Sequence, residues 1–142
     1  MGAEARPESG EPLNHQELLA RLSRETAQIQ KEAFGKGPVS TKSFLFDDLL
    51  LVVMRDGLTV AEKTMLRFGQ ADLVRQFRQT FQNEMTTTFV DMVEGATRRK
   101  VLTYQSQIMF DPDVVIEMFV FDRELGGGFV SAEVRMDDDG IA

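Results

Sequence analysis

The chain has 142 residues, no cysteine and a net charge of −7. That length supports one domain with a real core but not two comfortable ones. The missing thiols exclude a disulfide framework, a thiol nucleophile and a thiolate metal site.

The longest unbroken apolar run, Leu49 to Met54, is far short of the ~20 residues a membrane-spanning helix needs, so insertion into a bilayer is not expected. The first dozen residues hold no apolar signal-peptide segment, and the expected location is cytoplasmic. Arg6 stands where a myristoylation signal after Met1-Gly2 would place Ser or Thr. The acidity is unevenly spread. Residues 1–13 carry one Arg against three Glu, and residues 122–142 two Arg against six acids. What lies between is nearly neutral, and residues 63–100 are mildly basic, with seven Lys and Arg against four acids.

Residues 1–12 are polar and proline-containing and read as a flexible tail. A helix follows: Asn14 and Glu17 have capping-box spacing, and Leu13 and Leu18 that of a hydrophobic staple. Leu18, Leu22, Ile29 and Ala33 continue the apolar stripe until Gly35 and Pro38 stop it. Val39–Phe46 and Leu49–Met54 read as strands joined at Asp47-Asp48, the second aliphatic throughout and so more central. Thr59 and Glu62 form a second capping box, for a short helix ending near Gly69.

A long helix is expected over 71–94, with Val74, Phe77, Phe81, Met85, Thr88 and Met92, flanked by Leu73, Phe89 and Val93, facing the sheet and Gly95 ending it. Val101–Phe110 and Val114–Phe121 are a second strand pair turning at Asp111-Pro112-Asp113. The expected fold is therefore α+β, a two-layer sandwich in the order α-β-β-α-α-β-β. Its four-stranded antiparallel or mixed sheet carries helices on one face. Residues 13–123 form the single domain. Residues 124–142 form an acidic, Gly-rich tail, with Phe129–Met136 as an alternative edge strand.

No motif spells out catalysis, a metal ligand set or a cofactor site. Gly35-Lys36-Gly37-Pro38 looks like a phosphate cradle, but it closes a helix, where the dipole repels anions. Arg98-Arg99-Lys100 complements the end of the long helix, with Glu94 and Arg98 at i, i+4 spacing; it is also a candidate anion or partner site together with Lys36. His15, the only histidine, has no partner nearby in sequence. Glu117 interrupts an apolar strand and is expected on the solvent face opposite Ile116 and Met118.

The order of elements through Val101 also matches a type II KH fold, which grips RNA with a GXXG loop between its middle helices. Here that loop reads Gly69-Gln70-Ala71-Asp72, with an acid where the second glycine belongs.

The run from Lys31 to Arg123 resembles the MpsC-like family of small bacterial proteins, named for a sodium-translocating, membrane-potential-generating system. The resemblance rests on Lys31 through Pro38, Gly57-Leu58-Thr59 to Glu62, Val74-Arg75 with Phe81-Gln82, Gly95 to Lys100, and Asp111-Pro112-Asp113 to Phe121. It implies an accessory component and brings no catalytic residues. The leading expectation is a non-enzymatic regulatory subunit without cofactor, a homodimer that covers its bare sheet face with a second copy and contacts a membrane-system protein. Glu117 and Phe119 are the interface candidates. The alternative is a KH-like nucleic-acid or small anionic-ligand module using Lys36, Arg98, Arg99 and Lys100.

Overall fold

The computed structural model describes residues 14–137 and 140–141, with side chains through 136; the expected tail at 1–12, Leu13 of the staple, and Asp138 and Asp139 lie outside them. The elements are α1 (His15–Phe34), β1 (Ser40–Phe46), β2 (Leu49–Arg55), α2 (Val60–Arg67), α3 (Ala71–Thr97), β3 (Val101–Phe110), β4 (Asp113–Phe121), β5 (Val130–Asp137) and a two-residue β6 (Gly140–Ile141).

Local chemistry sets most boundaries. The Asn14 side chain accepts from the Glu17 amide, and Gly35, at φ 80°, returns its N–H to the Lys31 carbonyl. The Thr59–Glu62 capping box is closed in both directions. Gly95 does not end α3: the helix continues to Thr97 and stops at Arg98 in the left-handed region at φ 58°. A glycine without a cap-forming neighbour costs a helix only ~1 kcal/mol, so it does not dictate an end.

All strand pairings are antiparallel, and the sheet order is β3-β4-β2-β1-β5-β6. The expected four-strand sheet is therefore too small. The segment after Glu124 contributes β5, which pairs with β1 from Ser40↔Arg135 to Leu45↔Val130. The chain crosses the β1–β2 hairpin tip on the way, where the Leu125 amide donates to the Asp47 carbonyl. Gly127 then passes so close to His15 that a Cβ there would lie 2.3 Å from Nδ1. Weak alternation hid this strand: only Val130, Ala132, Val134 and Met136 face inward, and Ala132 is small.

The core lies between the helices and one face of the sheet. Leu18, Leu19 and Leu22 of α1 and Phe89, Val93 and Ala96 of α3 meet Leu45, Leu50, Val52, Phe119 and Phe121. Each large side chain fully buried there contributes roughly 1.5–3 kcal/mol. The anchoring of α3 differs from its expected stripe. Its last turns enter the core, but Leu73 and Phe77 stay exposed, while Arg78 is buried.

Arg78 forms a two-pronged pair with Glu62, Nε to Oε2 at 2.5 Å and Nη2 to Oε1 at 2.7 Å. It also donates to the Gly57 carbonyl at 3.1 Å and to Gln30 at 3.4 Å, and its guanidinium stacks 3.8 Å from the Phe34 ring centroid. Burial alone would raise the Glu62 carboxyl, but Arg78 and the Thr59 donors hold it below the ordinary carboxylate value.

Removing one partner strands a buried charge, so Arg78→Met is expected to cost about 3–5 kcal/mol in urea melts. Adding Glu62→Gln, which keeps the cap to Thr59, is expected to recover much of that loss; a double variant no better than the single would show that the charge is not the cause.

Candidate functional site

Two features stand out, on opposite sides of the sheet. The first is the face that no core helix covers. Strand alternation and register place Phe44, Phe46, Leu49, Leu51 and Val53 there beside Ile116, Met118 and Val120, with Leu51 opposite Met118 and Val53 opposite Ile116. Phe129 joins them, its ring 6.3 Å from Phe44 and 6.5 Å from Phe46. Phe46 and Phe129 are 54% and 64% exposed. Phe44, Phe46, Leu49, Leu51 and Phe129 line an apolar groove of about 210 Å³.

The flanks are polar. Gln105 and Gln107 of β3 lie on one side; on the other, Lys42 pairs across the strands with Glu133, which also bonds Arg135 at 3.0 Å. Lys42 lies 5.1 Å above the Phe44 ring.

The second feature lies under α3. Glu117 is 0% exposed and faces the helices, not the solvent face expected from alternation. The expected opposition to Ile116 and Met118 is correct; it is those two that face outward. Phe119 shares Glu117's side, 0% exposed in the core and stacked on Tyr104 at 4.8 Å, so neither residue is available to an interface. The missed signal was register: Glu117 has the same strand parity as Phe119 and Phe121, the two largest side chains of β4.

The Glu117 carboxylate accepts from the Tyr104 hydroxyl, from Ser106 Oγ at 2.5 Å and from Gln82 Nε2 at 3.1 Å. No Lys or Arg pairs with it among the described residues. Burial raises its pKa to about 7 against the pull of Ser106 and Tyr104. Tyr104 is itself pushed far up, first by burial and then by the neighbouring carboxylate.

The basic residues are scattered. Lys36 Nζ reaches across to the Asp56 carbonyl at 2.5 Å, beside the Arg55 end of β2. Arg98, Arg99 and Lys100 lie at the opposite end, where Val101 pairs with Phe121 and Leu49 with Val120. Seven residues of strand at about 3.3 Å each separate the two groups by roughly 20 Å. They do not form one site. The Glu94 carboxylate accepts from the Val101 amide at 2.8 Å, anchoring the turn into β3. Asp72 sits in the first turn of α3, where its charge repels a phosphate at the place of the GXXG loop.

The family model described as Na+-translocating membrane potential-generating system (MpsC) matches residues 14–123. The chain belongs to the MpsC family. No curated protein and no solved structure gives a significant match. Among the described residues of this MpsC member, no helix is long and apolar enough to cross a membrane. The match ends before β5, whose Phe129 neighbour completes the aromatic part of the open face.

The raised Glu117 pKa carries a sign. Because protonation is easier in the folded chain, the group's contribution is fully present below its unfolded value of 4.5 and is lost as pH rises through about 7. That span corresponds to about 3 kcal/mol. Glu117→Gln is expected to flatten the stability–pH curve across this window and to be more stable than the parent above it, as read by urea midpoints. An unchanged curve would show that Glu117 does not titrate there.

Proposed function

We propose that this protein is a non-enzymatic accessory subunit, working in the cytoplasm as a homodimer closed through the open face of its sheet. The observation that carries the reading is two-sided apolarity. Strands β2 and β4 present aliphatic side chains to both faces, the pattern of strands buried on both sides, yet the helices cover only one. An apolar strip along β4, β2 and β1 with polar flanks is also self-complementary. A second copy turned by a two-fold axis lays apolar strip on apolar strip, with the Gln-bearing and Lys-Glu-bearing borders kept wet. The family description supports a link to a membrane ion-transport system. In this reading the dimer serves such a system from the aqueous side, by contact and not by chemistry.

Sedimentation at micromolar concentration is expected to give a dimer, and Phe44→Glu with Leu51→Lys a folded monomer with the parent's far-ultraviolet dichroism. A monomeric parent would defeat the proposal, as would a variant that still dimerises.

The Arg98–Lys100 turn supports a second reading, the binding of a small anion. The Nε of Arg99 is enclosed and has no acceptor among the described residues, while Arg98 and Lys100 are exposed beside it. Phosphate or nucleotide binding here is expected to weaken steeply with salt and to vanish in Arg98→Ala/Arg99→Ala. Isothermal titration showing no heat at low salt would remove it.

A further inference from the structure

We propose that the buried oxygen cluster around Glu117 is a binding site for a dehydrated monovalent alkali cation. Four side chains from three elements converge on one point: Glu117 of β4, Tyr104 and Ser106 of β3, and Gln82 of α3. All three partners now donate to the carboxylate, but each also carries oxygen lone pairs. A rotation of the Gln82 amide exchanges its nitrogen for its oxygen at nearly the same place. With the hydroxyl protons turned away, the cluster becomes an all-oxygen set, which suits a hard cation and not a soft transition metal.

Charge decides the valence. Glu117 brings one formal negative charge, and no cationic side chain among the described residues pairs with it. Arg78 lines the adjoining cavity, but its charge is already matched by the two-pronged pair with Glu62. One unmatched carboxylate balances one positive charge. A divalent ion would need more acid, and no group of three or more His, Asp or Glu side chains suited to a metal occurs among the described residues.

Space and access are also present. A cavity of about 20 Å³ reaches Gln82 and Ser106 from one side, room for a single water-sized body. From the other side, an open groove of about 210 Å³ under Gln79, Asn83 and Thr86 of α3 leads to the same two residues and Tyr104.

An ionised carboxylate held only by neutral donors in a core is costly, and an aliphatic side chain in that strand would pack without the penalty. A bound cation supplies the missing countercharge. The site is independent of the docking face, since Glu117 points to the other side of the sheet.

Tyr104 is the only tyrosine and there is no tryptophan, so intrinsic emission reports on this cluster alone. Sodium, potassium and lithium chloride are titrated into the full chain at fixed, mildly alkaline pH, with choline chloride holding ionic strength constant. The expected result is a saturable change in Tyr104 emission and a raised thermal midpoint with at least one alkali cation, both lost in Glu117→Gln. An identical response to choline and to all three alkali salts overturns the proposal, as does a response that survives Glu117→Gln. Should that variant fail to fold, Gln82→Leu tests the same point from the half-exposed rim, and an unshifted emission midpoint counts against the site.

Discussion

A guanidinium buried among three helices must be matched on every side, and that requirement at Arg78 organises the helical layer. Glu62 neutralises it from α2, Gly57 accepts from it in the turn after β2, and Gln30 and Phe34 close around it from α1. These contacts come from three separate segments, so the ion pair fixes helix positions that apolar packing alone would leave free to slide. The same Glu62 also caps α2, which ties the start of that helix to the pair. With α3 held at Arg78 and again at Phe89 through Ala96, the stretch between spans the sheet with amides and hydroxyls facing β3. The polar cleft above Glu117 is a consequence of where the long helix is anchored.

The sheet shows the complementary constraint. One layer of helices covers one face, and strand alternation then sends half of β2 and β4 the other way. In an ordinary two-layer sandwich that second face would be polar. Here it is occupied by Leu49, Leu51, Val53, Ile116, Met118 and Val120, with three phenylalanines at one end. The two features assigned to function therefore sit back to back. A single strand, β4, supplies the buried carboxylate to one side and apolar side chains to the other.

Local chemistry was legible in the sequence wherever a residue acts on its immediate neighbours. The Thr59–Glu62 box, the Gly35 stop and the turn at Asp47-Asp48 depend on contacts within four residues and appear as read, while at Asn14 only the half of the expected box that caps the Glu17 amide is formed. The family motifs between Lys31 and Arg123 were equally readable, because their order along the chain carried the signal. Reading failed where the decision was made by distant partners. The burial of Arg78 is not legible in the sequence: it sits next to Phe77 of the expected stripe, and nothing nearby announces Glu62 sixteen residues away. The last strand reads mainly as tail because its pairing partner, β1, lies about ninety residues earlier.

Glu117 marks the boundary between the two kinds of information. The sequence by itself determined that this residue and its neighbours alternate across a strand, because a pleat allows nothing else. It determined likewise the limits of α1 and the start of α2, the absence of thiol chemistry and the apolar character of both faces of the central strands. Only the tertiary structure decided which face the helices would cover, and so whether Glu117 would meet water or Tyr104, Ser106 and Gln82. Parity within a strand is a local property of the backbone, whereas the identity of the buried face depends on where α1 and α3 land, and that is set by packing and by one buried ion pair far away in sequence.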